Sequence, residues 1–316
     1  MNTNIPVFSS GSISTGEQKR MDSRDLFFFE HELTHYDPRE FPNLKKNLTA
    51  FDVFHILQVD PAMITYNYSM TEATGEAIYA STQEGENDNH PYVGVEGHLF
   101  STTMFDIISA LKFSHADLLA SQATRRDKVS SLRNQAMRVN LERMNKTCFI
   151  GNQNPSVSGL LNNPHIEQKG VKSGNGEWSG KKAEALLEDL NEAYDAILKA
   201  TSNLIRPDTM LISTAAHNDI DSRIFNTFNG TTVLKQFSNR TGIKVISTPE
   251  LNGAFKGKDG FVMFENNPAH IQHLVAELFR TTPVQPKKNS YEVFCESRHG
   301  GLIVRQPKSI VIRHGI

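Results

Sequence analysis

Arg126 to Pro164 reads RDKVSSLRNQAMRVNLERMNKTCFIGNQNPSVSGLLNNP, and this stretch decides how the rest of the chain is organised. Val129, Leu132, Ala136, Met137, Leu141, Met144 and Cys148 recur at steps of three and four. That spacing predicts one long helix with a single apolar stripe. The helix is expected to stop at Gly151, since glycine takes up the backbone conformation that ends helices at no steric cost. After a polar connection comes Ser158-Gly159-Leu160-Leu161-Asn162-Asn163-Pro164, a tight turn with two leucines suited to burial. Nothing in this stretch is arranged for catalysis.

Working outward, Lys181 to Leu198 predicts a second helix, with Leu186, Leu190, Tyr194 and Ile197 on one face and Glu184, Glu188 and Glu192 on another. Beyond it the pattern alternates. Strands are expected at Thr209–Ser213, Ile243–Ser247 and Phe261–Phe264, and helices at Ala215–Phe228 and Thr232–Asn239. Together they make a small α/β unit over about 206–270. The tail is read as β: Tyr291 to Glu296, a His299-Gly300-Gly301 turn, Leu302 to Val304, then Ile310 to Ile312. Upstream, Met63 to Tyr68 alternates aromatic and β-branched residues, as a strand does. Ala50 to Val59 fits either a strand or a short helix. Residues 69–97 are polar and glycine-containing, which suits a β-hairpin arm that leaves the body better than a long structureless loop. Residues 98–113 are strand-like, and Ser114-His115-Ala116-Asp117 starts a helix. Residues 1–24 are rich in Ser, Thr, Asn and Gly and read as an extended arm.

Composition narrows the function. The chain has 316 residues, 38% hydrophobic and 22% charged, enough for a substantial core. A net charge of −2 gives no global attraction to nucleic acid or anionic membrane. No apolar run approaches the roughly 20 residues of a membrane span, and the opening residues lack an apolar signal core. Cys148 and Cys295 sit in apolar sequence and read as reduced, buried thiols.

One motif advertises an enzyme. His31-Glu32-Leu33-Thr34-His35 matches H-E-x-x-H, which on a helix sets two imidazoles on one face to bind zinc, with the glutamate as base. Its context argues against a zinc hydrolase built on His31, Glu32 and His35. Pro38 and Pro42 curtail any helix downstream, Leu26 to Phe29 is a continuous apolar run rather than one helical face, and His55, His90 and His98 offer no recognisable third-ligand spacing. No G-x-S-x-G, phosphate loop or dinucleotide fingerprint is present. His270 and His273 read as packed or solvated β-structure residues. No catalytic residue, cofactor or metal is therefore expected.

Charge is distributed unevenly. From Asn47 to Leu111 there is no Lys or Arg, while Asp52, Asp60, Glu72, Glu76, Glu84, Glu86, Asp88, Glu96 and Asp106 fall in that window. The sign then flips: Arg125, Arg126, Lys128, Arg133, Arg138, Arg143 and Lys146 crowd the long helix. These are two solvated faces of opposite sign, or an acidic arm that docks on the basic helix of a neighbouring copy. On the second reading, Glu72, Glu76, Glu84, Glu86 and Asp88 face Arg126, Arg133, Arg138 and Arg143 across a contact between subunits. No aromatic residue interleaves the basic helix before Phe149, so it makes a poor stacking platform for nucleic acid.

The order of arm, acidic hairpin, long helix, Phe149-Ile150-Gly151, Gly159-Leu160-Leu161-Asn162-Asn163-Pro164, α/β unit and β tail resembles tailed-bacteriophage major capsid proteins of the Hong Kong 97 fold, whose superfamily includes encapsulin-like shells. Glu32-Leu33-Thr34-His35-Tyr36-Asp37-Pro38 also resembles a leading segment of one such family, which makes the zinc-like spacing a coincidence. The resemblance spans about 25–316. It implies an α+β chain with an N-terminal arm (1–24), an extended β-hairpin loop (62–100), a peripheral domain carrying the spine helix (25–61, 101–205 and 280–316) and a small α/β axial domain (206–279). It implies a structural subunit without enzymatic activity that self-assembles as pentamers and hexamers into an icosahedral head around double-stranded DNA, which it touches only non-specifically. Portal, scaffolding or decoration proteins would be its partners, with no membrane. Assembly would occur in the host cytoplasm, and the mature location would be the virion. An encapsulin-like compartment shell is the alternative that the same fold allows.

Overall fold

The computed structural model describes residues 46–75, 92–124, 127–153, 157–171, 177–226 and 230–316. The expected arm and His31, Glu32 and His35 lie outside the described residues. In chain order the elements are α1 (Thr49–Val53), β1 (Ile56–Gln58), β2 (Thr65–Thr74), β3 (Gly94–Thr103), β4 (Phe105–Ser114), α2 (His115–Thr124), α3 (Lys128–Ile150), β5 (Glu167–Gly170) and α4 (Ala183–Ala200). There follow β6 (Thr209–Ile212), α5 (Thr214–Ser222), β7 (Ile224–Asn226), β8 (Thr231–Thr232), α6 (Val233–Thr241), β9 (Lys244–Ser247) and β10 (Gly260–Phe264). The chain closes with β11 (Ile271–Thr281), β12 (Gln285–Lys287), β13 (Ser290–Val304) and β14 (Ile310–His314). The stretch 50–59, open between helix and strand, is divided into α1 and β1.

The long helix forms where its spacing predicts. Asp127 caps its start by accepting from the Ser130 amide at 3.0 Å. Its end is closed by the turn downstream. A helix leaves its last carbonyls without partners. Here Gly151 N–H bonds Thr147 O at 2.9 Å, Leu160 N–H bonds Cys148 O at 2.8 Å and Leu161 N–H bonds Phe149 O at 2.8 Å. The two glycines make this possible. Gly151 takes φ +73°, and a Cβ on Gly159 would lie 2.3 Å from Gly151 N and 2.6 Å from Phe149 O. The turn also carries Leu160 and Leu161 into the core beside Cys148 and Phe149.

Helix α3 lies on the first sheet, of order β1-β11-β13-β12, with β4 on the other edge of β13. Val129, Leu132 and Ala136 pack there on Leu111, Phe113, Val293 and Cys295. The stripe differs from the expected one at its centre. Met137 is 40% exposed, whereas Asn140 is buried and donates to Ser297 Oγ at 3.2 Å. The buried line therefore runs Ala136, Asn140, Met144, Cys148, one residue every helical turn.

The second sheet has the order β5-β14-β10-β6-β9. Its three inner strands, β14, β10 and β6, are buried on both faces, so alternate residues serve different cores. Met210, Ile212, Phe261, Met263 and Val311 pack with α4, α5 and α6, while Leu211, Val262, Phe264, Ile310 and Ile312 pack with α1, the end of α3 and the Leu160–Leu161 turn. Two segments sit differently from the expected division. Ile310–His314, grouped by the resemblance with the peripheral segments, is the strand between β5 and β10 in this sheet. Helix α4 likewise packs its Leu186, Leu190, Ala193 and Ile197 on the α/β unit. In both cases the apolar residues go where two buried faces are available. Two further readings are corrected. The helix expected over Ala215–Phe228 ends at Ser222, and β7 follows. His299-Gly300-Gly301 is not a turn, because β13 runs through it with a bulge, pairing Leu274 with Gly301 and Val275 with His299.

The close approach at Gly159 gives a clean test. Gly159→Ala is expected to lower stability by roughly 2–3 kcal/mol in urea unfolding of the full chain, because backbone atoms must move to admit the methyl. Gly97→Ala, where a Cβ would meet nothing within 4 Å, is expected to stay within about 0.5 kcal/mol of the parent.

Candidate intersubunit surface

Strands β2 and β3 pair antiparallel in unbroken register from Thr65↔Thr103 to Thr74↔Gly94. This is the hairpin expected from the polar stretch. Its root is fixed to the body. Met104 N–H bonds Ile64 O at 2.8 Å, and Arg298 donates to Met63 O at 3.0 Å. Tyr66 and Tyr68 pack against Met104, Leu274, Ala276 and Ile303. Phe100 stacks on Tyr68 with centroids 5.3 Å apart, and the Arg305 guanidinium sits 5.5 Å from the Tyr68 ring centre. Arg305 is itself held by Pro268 O at 2.9 Å and Gln272 Oε1 at 2.8 Å. Burial raises the Tyr68 hydroxyl above its ordinary pKa, and the Arg305 charge opposes that rise. A cleft of about 540 Å³ opens between this root and the segments Val157–Ser158 and Gly300–Arg305.

Beyond the root the hairpin has little of the body to pack on. Tyr92 is 90% exposed, Val93 74%, Val95 71% and Leu99 73%, so apolar surface faces outward where a solitary subunit gains nothing from it. Of the acidic residues assigned to the contact, Glu72 lies on β2 across from Glu96 on β3. Glu76, Glu84, Glu86 and Asp88 lie outside the described residues. Charge alone does not mark the apolar row. The alternation of Val93, Val95 and Leu99 with Gly94, Glu96 and His98 was its available signal.

On α3 the expected arginines are not equivalent. Arg126 lies outside the described residues. Arg133 is exposed. Arg138 pairs with Glu142 at 2.8 Å and also donates to Lys46 O. Arg143 donates to Asn152 Oδ1 at 2.9 Å and so braces the end of the helix. Met137, one turn from Arg133, is 40% exposed, and Val139 and Ile150, on the side of Arg143, are 58% and 44% exposed. The outer face of α3 is thus mixed, basic and apolar, rather than a bare row of cations.

Several other titratable side chains are buried or paired. Among the described residues no three His, Cys, Asp or Glu side chains are grouped to hold a metal. Burial pushes the Cys148 thiol far up, away from any nucleophilic role. His270 pairs with Glu265 at 2.7 Å. Asp189, buried on α4, receives Trp178 Nε1 at 3.1 Å and Lys181 Nζ at 2.7 Å. Burial, its largest influence, pushes the carboxyl up, against the lowering by Lys181.

A long helix bracing two sheets, with a hairpin projecting apolar surface away from its own body, fits a subunit whose surface is completed by other chains. A family model described as major capsid protein matches residues 79–316. The chain belongs to the major capsid protein family, and its role is structural. Solved structures agree on the fold. The capsid of Myoviridae phage XM1 matches with a TM-score of 0.80 at 13% identity, covering 92% of this chain and 99% of that one. A structure from Mycobacterium phage Adephagia matches at 0.64 with 11% identity, covering 89% and 94%. A virus-like particle from Pyrococcus furiosus matches at 0.53 with 12% identity, covering 83% and 91%. No curated protein sequence matches the chain significantly.

Removing the brace on the hairpin tests how its direction is set. Arg305→Ala deletes the contact with Tyr68, and by the usual size of such contacts costs about 1–2 kcal/mol. Limited proteolysis is expected to cut within 65–103 faster in the variant, with the fold retained by circular dichroism. Equal cleavage would remove Arg305 from that role.

Proposed function

We propose that this chain is the main building unit of an icosahedral bacteriophage head enclosing double-stranded DNA, acting without enzymatic activity. Copies associate as pentamers and hexamers, and the exposed hairpin of one copy lies on α3 of the next. Portal, scaffolding or decoration proteins are the further partners, DNA contacts are non-specific, and assembly takes place in the host cytoplasm. The observation that carries the reading is the outward apolar row Tyr92, Val93, Val95 and Leu99 on a hairpin whose root is fixed. Apolar surface of this kind marks a place where a partner binds. The surface of α3 where Arg133 and Met137 lie one turn apart, i and i+4, is a suitable cover, and the absence of Lys and Arg over 47–111 gives the pair opposite signs. An encapsulin-like compartment is the second reading, supported by the likeness to the Pyrococcus furiosus particle, but the fold lies nearer the phage capsid, at 0.80 against 0.53.

The division into arm (1–24), loop (62–100), peripheral and axial domains enters this proposal in a revised form, with α4 and β14 counted with the axial unit. The zinc-like motif has no part in it. Metal analysis of the purified chain is expected to find no zinc that His31→Ala removes.

Size-exclusion chromatography with negative-stain microscopy tests the assembly. Closed particles are expected, and a chain that stays monomeric under every assembly condition contradicts it. Arg133→Glu is expected to slow assembly at least several-fold by light scattering while leaving circular dichroism unchanged. Added salt should weaken the parent's assembly more than the variant's, because exposed charges are screened beyond about 8–10 Å. Unchanged assembly would remove Arg133 from the interface.

A further inference from the structure

The contact between α3 and the first sheet has an uneven composition. At one end it is apolar, with Val129, Leu132 and Ala136 on Leu111, Phe113 and Val293. At the other end Cys148 and Phe149 enter the core of the second sheet. Between them lies a buried polar layer made of Asn140 on α3, Ser109 on β4, Ser297 and His299 on β13, and His273 on β11. His273 and His299 are fully buried, with ring centroids 5.8 Å apart at 84°. Phe51 packs 5.3 Å from His273 and Phe105 4.6 Å from His299. Among the described residues, neither ring nitrogen of either histidine has a hydrogen-bond partner, and Ser109 Oγ and Asn140 Oδ1 also lack one.

A buried polar atom without a partner costs stability, and a buried charge costs far more. Near this layer the charged or titratable groups are Asp52 on α1, His55 just before β1, Glu142 and Arg143 on α3, Asp106 on β4 and Arg298 on β13, while Glu277 and Arg280 on β11 and Glu296 on β13 pair among themselves. Asp52, His55, Asp106, Glu142 and Arg143 are exposed, and the half-buried Arg298 is turned to Asp106 at 3.7 Å. No carboxylate approaches either imidazole to stabilise its cation. Burial holds His273 down to about 4. Burial, then His273 and then Arg143, hold His299 down to about 3.

From this geometry we infer that the His273–His299 pair makes the middle of the α3–sheet contact a proton-sensitive seam, which acid loosens while both apolar ends hold. The sign follows from linkage. Unfolded or locally opened, each imidazole takes up a proton near 6.5, whereas closed it resists until about 3–4. The open form binds more protons, so the closed seam loses stability as pH falls from 6.5 toward that range and is at full strength above it. For a 35-kDa shell subunit, this gives the fold a defined place to yield without unfolding. The inference does not depend on how the hairpin docks.

Hydrogen exchange of the full chain at pH 7.5 and 5.0, corrected for intrinsic chemistry, tests it. Protection of 136–148 relative to 183–200 is expected to fall on the order of tenfold or more for the wild type. The ratio is expected to stay constant in His273→Leu/His299→Leu, which keeps an apolar filling and removes the proton site. A wild-type ratio that does not change, or the same loss in the double variant, overturns the inference. Should the double variant fail to fold, imidazole titration of the wild type by NMR decides. Two of the 12 histidines remaining neutral at pH 5 supports the seam, and all of them protonating by pH 5 overturns it.

Discussion

Three carbonyls at the end of one helix organise this subunit. Thr147, Cys148 and Phe149 finish α3 inside the protein, where water cannot take their unpaired acceptors. The chain meets the demand by turning back within a dozen residues and presenting the amides of Gly151, Leu160 and Leu161. The backbones come so close that position 159 has no room for a Cβ. This closure delivers Leu160 and Leu161 to the second sheet and leaves the other end of α3 on the first. One helix thereby joins two sheets whose strands come from distant parts of the sequence. Cores that are closely packed transmit displacement rather than absorb it, so α3 can act as a beam between them.

The hairpin depends on the same frame. Strand β4 pairs with β13 under α3, and β3 runs straight into β4 through the buried Met104. The direction in which Val93, Val95 and Leu99 project is therefore set by the sheet that α3 covers, with Arg305 and Tyr68 as the local brace. Stability is spent unevenly along this path. The two ends of α3 are apolar and tight, its middle is polar, and the distal hairpin has almost no body to pack on. That gradient suits a protein whose final contacts are supplied by other copies of itself.

Much of this was legible in the sequence. The helix from Lys128 to Ile150, its glycine stop and the buried Leu160–Leu161 pair follow from spacing and from what glycine permits. The hairpin followed from a stretch too long for a loop. What local pattern could not give was pairing at a distance. β14 reads as an ordinary terminal strand, and only the two-sided core of the second sheet explains why it inserts between β5 and β10. Asn140 broke the apolar rule on α3 because its partner, Ser297, comes from a strand 157 residues away. On α3 the charges were the visible signal, yet Arg138 and Arg143 bond within their own subunit. The exposed valines and Leu99 give little signal by themselves, because a short alternating run reads as ordinary strand.

The central claim is that α3, locked by its closing turn, is the platform on which shells of this chain are built. A cryo-electron microscopy map of particles assembled from the purified chain tests it most directly. The account predicts closed shells in which density for 65–103 of each subunit crosses α3 of a neighbour and covers Val95 and Leu99. Closed shells in which the hairpin lies on its own subunit, or leaves that apolar row in solvent, would contradict it.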